Sequence, residues 1–134
     1  YPDRASERAL LAGVDRRHLV ASLGAVMTPA ELVLAQAAVQ QVHASDALLD
    51  YLQALIAATR SGQWFAEGLS PRAGIAILRA ARARALLAQR DYVAPDDIQA
   101  ILPQTAAHRL VPVGSAGRGR VEQVRAMIEA VGIP

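Results

Sequence analysis

The chain has 134 residues, enough for one domain with a real core; it is 53% hydrophobic, only 4% aromatic, and carries a net charge of +2. Cysteine and lysine are both absent, which excludes disulfides, thiolate metal sites and any phosphate loop built on a lysine. The uncharged stretches fall short of the roughly 18 apolar residues of a membrane span, and no basic segment leading into an apolar one opens the chain as a signal peptide would.

The expectation is therefore a cytoplasmic domain, and a start at Tyr1 rather than Met fits an excised or processed fragment. Alanine and leucine dominate the apolar set, and small aliphatic side chains suit closely packed helices better than a sheet. Every basic residue is Arg, which never deprotonates at ordinary pH and lifts the isoelectric point to about 9.7 without creating a strong field. Biased genome composition explains such a chain more simply than a polyanionic partner does.

The elements follow in chain order. Tyr1-Pro2-Asp3 ends a strand or loop, and a short helix runs from Asp3 to Leu11, with Asp3 or Ser6 near its start and Gly13 as its stop. Asp15–Leu23 is a second short helical or irregular piece ending near Gly24. Thr28-Pro29-Ala30-Glu31 is a capping box with proline at the first helical position. Behind it, Leu32, Ala35, Val39 and Val42 form one predicted apolar face. Ser45 caps the next helix, which carries Leu48, Leu49, Leu52, Leu55 and Ile56 on one face and ends at Ser61-Gly62.

A loop with Trp64 and Phe65 leads to Ser70-Pro71, the start of a long Ala-rich helix reaching about Gln89. Arg90–Val93 is a connector. Asp96 and Asp97 then sit in the first turn of the following helix, where the dipole favours acids. Pro103 is expected to bend that helix or to force a fresh start before Thr105–Arg109. Val111–Gly119 is rich in Gly, Pro and Ser and is predicted to be flexible, and Val121–Val131 is a final amphipathic helix through Val121, Val124, Ile128 and Val131. The fold class is all-α: a bundle of about four main helices with a short N-terminal connector, residues 1–27, ahead of a helical domain, residues 28–134.

Candidate chemistry is sparse. A P-loop needs a lysine for the β- and γ-phosphates, and no apolar strand ends in paired acids for Mg²⁺. The chain by itself is thus no P-loop ATPase. His18, His43 and His108 are scattered without metal-ligand spacing, and no G-x-S-x-G elbow is present.

The constellation that stands out is Gly68-Leu69-Ser70-Pro71-Arg72. With Ser70 as N-cap and Pro71 first in the helix, Arg72 falls in the first turn, where a cation is disfavoured by about 0.3–1 kcal/mol. A nearby anion would remove the mismatch, since free N–H groups and the guanidinium can serve one phosphate. The plainer alternative is an Arg that bends away into water. On the same helix Arg72, Arg79 and Arg90 fall nearly in line, with Arg82 beside them. They form either a basic ridge for nucleic acid or an acidic partner, or a solvated face. No aromatic residues interleave with them, so base stacking has no support.

Four stretches now carry a resemblance: Gly68–Ala73, Leu78-Arg79-Ala80-Ala81-Arg82-Ala83, Arg90–Ile98, and His108-Arg109-Leu110. They closely resemble the C-terminal region of MoxR-type AAA+ ATPases. Tyr1-Pro2-Asp3 with Glu7-Arg8, Val42–Asp46 and Ala57-Ala58-Thr59-Arg60 fit the same pattern, and Gly132-Ile133-Pro134 resembles the family's C-terminus. Val111–Arg120 matches no part of it.

The resemblance implies a helical lid over ATP held by a separate α/β core, which supplies the phosphate loop, the Mg²⁺-binding acids and the first sensor. It makes Arg72 the sensor-2 arginine that contacts the γ-phosphate, with Ser70 and Pro71 placing it at the helix N-terminus. It further implies hexameric rings, chaperone-like remodelling and, often, a partner with a von Willebrand factor A domain. Two rival readings differ in class: an Arg-rich bundle binding nucleic acid through the 72–90 ridge, and a protein-interaction adaptor using its apolar helix faces.

Overall fold

The computed structural model describes residues 1–13, 16–114 and 119–133. They form seven α-helices and one 3₁₀ turn: α1 Arg4–Ala12, α2 Arg16–Ser22, α3 Pro29–Gln41, α4 Asp46–Arg60, α5 Pro71–Leu87, α6 Pro95–Ala106, the 3₁₀ turn Ala107–Arg109, and α7 Arg120–Ala130. No strand occurs among the described residues, only isolated bridges, His43 with Tyr92 in parallel and Phe65 with Pro112 in antiparallel sense. The chain divides into two compact units, Tyr1–Leu32 and Val33–Pro134.

The first unit is small and solvent-facing. Asp3 caps α1 by accepting from the Ser6 N–H at 2.7 Å, and α1 buries no residue. At the start of α3 the expected box closes. Thr28 Oγ1 accepts from the Glu31 N–H at 3.2 Å, and the Glu31 carboxylate accepts from the Thr28 N–H at 2.7 Å. The predicted apolar face of α3 fares less well: Val42, just past the helix, is buried and Ala35 and Val39 are half-buried, but Leu32 is exposed together with Val33 and Leu34. Periodicity fixes which residues share a face, not whether anything covers it.

The second unit is a bundle in which α4, α5, α6 and α7 pack on one another. Its core is aliphatic and Ala-rich, as the composition implies. Leu55, Ile77, Ala81, Ala85, Ile98, Val124 and Met127 are at 0–1% exposure, and each large aliphatic side chain so placed stabilises by about 1.5–3 kcal/mol. Most of the buried polar groups are paired, the Arg82 Nε being the exception among the described residues. Gln99 Nε2 donates to the Tyr51 hydroxyl at 2.9 Å, and Gln123 Nε2 donates to the Trp64 carbonyl at 3.3 Å.

Three expectations need correction. The long helix ends at Leu87, not Gln89. Gln89 takes a left-handed φ of 58°, its N–H bonds to the Leu86 carbonyl at 2.9 Å, and the Arg90 N–H bonds to the Ala85 carbonyl at 2.9 Å. This Schellman-type closure turns the chain out of the helix before Arg90. Pro103 forces no fresh start: α6 runs unbroken through it to Ala106. Pro103 is buried, and the Thr105 hydroxyl bonds back to the Ile101 carbonyl at 2.9 Å; only afterwards does the chain tighten into the 3₁₀ turn. Finally, residues 111–113 are not free. Val111 accepts from the Ala66 N–H at 2.9 Å, and the Val113 N–H donates to the Trp64 carbonyl at 3.0 Å, pinning this end of the predicted loop to the Trp64–Ala66 strip. Residues 115–118 of that predicted loop lie outside the described residues.

Candidate functional site

The N-terminus of α5 is assembled by the C-terminus of α4. Leu48, Tyr51, Leu52 and Leu55 anchor α4 in the core. Thr59 continues that buried face at 0% exposure, and a buried hydroxyl must find partners. Thr59 Oγ1 donates to the Ile56 carbonyl at 2.6 Å and accepts from the Leu69 N–H at 3.0 Å. Its neighbour Arg60 donates from Nε to the Leu69 carbonyl at 2.8 Å. Both backbone polar groups of Leu69 are thus held by side chains of α4, while the Leu69 side chain is buried.

Gly68 is needed for this approach, because a Cβ there would lie 2.3 Å from Arg60 Cγ and 2.8 Å from Arg60 Cα. Ser70 then caps α5. Its backbone is extended at φ −72°, ψ 160°, and its hydroxyl accepts from the Ala73 N–H at 3.3 Å.

Arg72 follows, exposed, with no hydrogen bond or ion pair among the described residues. Pro71 has no N–H and Ser70 takes that of Ala73, so the Arg72 N–H is the first-turn donor left without an acceptor among the described residues. The anion-binding potential is therefore narrower than an open helix end offers: one backbone N–H and one guanidinium, both from the same residue. No acid occupies this turn. Beside it, a cleft of about 760 Å³ runs between α4 and α5 over Leu49, Ile56, Gly74 and Ile75, with Asp46 and Asp50 at one end and Arg60 and Pro71 at the other; Arg72 does not line it.

A second polar cluster closes the other end of α5. Asp97 has 0% side-chain exposure and accepts from Arg84 and, at 2.7 Å to each oxygen, from both terminal nitrogens of Arg90. It also accepts from the Ala94 N–H at 2.9 Å, and the Arg90 guanidinium stands 5.6 Å from the Tyr92 ring centroid. Burial pushes the Asp97 carboxyl up, but the hydrogen bonds from Arg90, Ala94 and Arg84, with the charge of Arg90, outweigh it and hold the group at about 2.

Asp97 does begin α6, as its position suggests, but it is also the ion-pair hub of the bundle, whereas Asp96 accepts from neither arginine and is exposed. This corrects the basic ridge. Arg90 lies beyond the helix and is committed to Asp97, so the alignment of Arg72, Arg79 and Arg90 does not persist as a free surface. His18, His43 and His108 are exposed, and no group of three potential metal ligands exists among the described residues.

Thr59 and Arg60 support α5, a role their sequence pattern did not reveal. A signal was present: Thr59 lies on the apolar stripe of Leu48, Leu52 and Leu55, where a polar residue implies a specific partner.

Residues 57–130 match the AAA lid domain family. The chain is 34% identical to YeaC of Bacillus subtilis, across 100% of this chain and 43% of YeaC. It is 33% identical to the chaperone MoxR1 of Mycobacterium tuberculosis, across 72% of this chain and 30% of MoxR1. With the protein MoxR of Methylorubrum extorquens it shares 42% identity over 71 residues, half of this chain and 21% of that protein. Among solved structures, a candidate ATPase from Cytophaga hutchinsonii superposes with a TM-score of 0.76 at 24% identity, over 100% of this chain and 44% of the other, a likeness of fold. The chain spans less than half the length of each of these relatives.

Proposed function

The chain belongs to the AAA lid domain family and is a lid of the MoxR type; from that premise we propose that it senses the nucleotide held by an ATPase core through Arg72. The observation that carries the reading is a first-turn arginine, exposed and without a protein partner among the described residues, on a helix end with no acid in its first turn. A cation there runs against the helix dipole and gains when an anion arrives.

ATP, bound by the core, supplies that anion as its γ-phosphate. In this chain Arg72 would hold it with its guanidinium and N–H, and Ser70 and Pro71 fix where the helix begins. Arg72 would neutralise charge as it develops on the transferring group, and closure of the lid would pass the nucleotide state onward. Mg²⁺ and the phosphate loop belong to the core in this reading, with residues 1–27 leading from that core into the lid of residues 28–134. Neighbouring subunits of a hexameric ring, chaperone-like remodelling, a von Willebrand factor A partner and a cytoplasmic setting complete the proposal. Among the described residues no helix is long and apolar enough to cross a membrane.

The test is Arg72→Ala in the full-length ATPase. Losing an exposed Arg should cost the fold under about 0.5 kcal/mol, while hydrolysis falls on the order of tens to a thousand-fold and ADP affinity barely changes. Arg79→Ala, two turns further along the helix, controls for charge. Parent-like hydrolysis by both variants would show that Arg72 is a surface residue and nothing more.

A further inference from the structure

The start of α5 is held in an unusual way. The residue before a helix cap ordinarily offers its N–H and C=O to water or to neighbouring backbone. At Leu69 both go to two successive side chains at the end of another helix, Thr59 Oγ1 at 3.0 Å and Arg60 Nε at 2.8 Å. The two bonds fix the peptide planes on either side of Leu69. The buried Leu69 side chain and the Gly68–Arg60 backbone approach remove the remaining freedom. Thr59 cannot turn away, because its hydroxyl proton is engaged with Ile56.

Ser70 follows Leu69 directly and caps α5, and Arg72 lies three residues beyond Leu69. The orientation of the Arg72 Cα–Cβ bond is therefore set by α4, the helix anchored in the core beside it. A helix start that needed only to be stable would be served by the Ser70 cap and the Leu69 side chain. Two further charge-assisted or buried hydrogen bonds at this one residue restrict position, which is what a group that must meet a phosphate within a fraction of an ångström requires.

We propose that Thr59 and Arg60 are positioning residues for Arg72: through the N–H and C=O of Leu69 they aim the first turn of α5, so that the guanidinium meets the nucleotide only when both bonds are made. The proposal rests on the reading of Arg72 as the nucleotide sensor. It assigns Arg60 a role through its Nε–H, not through its charge, and Thr59 a role through its hydroxyl, not through its methyl group.

The experiment is a double-mutant cycle in the full-length ATPase, reading kcat and KM for ATP at saturating Mg²⁺. Thr59→Val keeps the shape and removes the hydroxyl; Thr59→Ser restores it. Arg60→Lys keeps the charge and removes the Nε–H, and its exposed site makes misfolding no obstacle. Thr59→Val and Arg60→Lys should each lower kcat by about ten- to a hundred-fold, the penalty of a misplaced catalytic contact, with KM shifting less than about threefold and Thr59→Ser close to the parent. In an Arg72→Ala background both substitutions should change kcat by less than about twofold, because the group they aim is gone.

If Arg72→Ala alone is impaired while Thr59→Val and Arg60→Lys match the parent, or if their effects simply multiply with that of Arg72→Ala, the positioning role is overturned and the Arg72 reading stands. If Arg72→Ala itself matches the parent, both fall together.

Discussion

Replacing Asp97 by Asn should destabilise the second unit by about 2 kcal/mol at neutral pH, and the loss should shrink in acid. The magnitude comes from the carboxyl's own environment. Its pKa is lowered from 3.8 to about 2, and a tenfold change in proton affinity is worth roughly 1.4 kcal/mol, giving on the order of 2 to 3 kcal/mol in all. A modest discount follows from the partners, since Arg84 and Arg90 keep 44% and 25% of their side-chain exposure and stay partly screened by solvent.

The same exposure argues against the roughly 3–5 kcal/mol seen when a partner is left charged and trapped, because both guanidinium groups can turn to water. Asn keeps the volume and can still accept from the Ala94 N–H. The folded carboxyl is more acidic than the unfolded one. Its contribution is therefore complete above about pH 4 and is lost as the pH falls through about 2. Urea unfolding of parent and Asp97→Asn between pH 7 and pH 2.5 is the assay. A gap under about 0.5 kcal/mol at pH 7, or one that stays constant into acid, would refute the view that Asp97 is held ionised by its two arginines.

Two glycine substitutions should part company. Gly68→Ala drives a Cβ to within 2.8 Å of the Arg60 backbone and should cost about 1–3 kcal/mol, whereas Gly74→Ala meets only the tip of Ile56 at 2.6 Å, which can rotate, and gains up to about 1 kcal/mol of helix propensity; equal thermal shifts would count against the bracket at Leu69. Gln89→Gly should raise stability by roughly 0.5–1 kcal/mol, because the left-handed φ of 58° suits glycine at that closure; a lower melting temperature would mean that the Gln89 side chain contributes something its backbone does not reveal.

What the sequence disclosed is what hydrogen bonds of three or four residues' reach control. The caps at Asp3, Thr28, Ser45 and Ser70 all form between residues three apart, and the predicted stripe of α4 buries Leu48, Leu52 and Leu55 but leaves Ile56 half-buried and Leu49 exposed. What it withheld depends on partners brought close by folding. Asp97 looks like an ordinary first-turn acid until α6 docks against α5 and sets it between Arg84 and Arg90, 13 and 7 residues away. Arg60 looks like a C-terminal helix cation until the chain returns to present Leu69 nine residues on. Leu32 fails in the opposite sense, since an apolar periodicity names a face and says nothing of a cover. Of the candidate site, Ser70, Pro71 and Arg72 were legible as a cap with a misplaced cation, and their support was not.

The two polar clusters together bear on how a lid of this kind can respond. α5 is fixed near its first turn through Leu69 to α4, and near its last turn through Arg84 to Asp97 on α6. Between them Ala73, Ile77, Ala81 and Ala85 form a stripe of mostly small side chains sealed in the core, where close packing leaves little room for adjustment. A helix held at both ends and along its length cannot yield to a force on Arg72 by fraying or by bending at one turn. A displacement of α5 would therefore be passed to α4 and α6, which pack on it, and through α6 to α7. Interfaces packed in this manner tend to hold a few discrete arrangements instead of deforming continuously. Under the proposed role of Arg72, a domain that converts the presence of one phosphate into the movement of a whole unit would gain from that stiffness, and the small side chains of an aromatic-poor, Ala-rich chain are what make such close helix contacts possible.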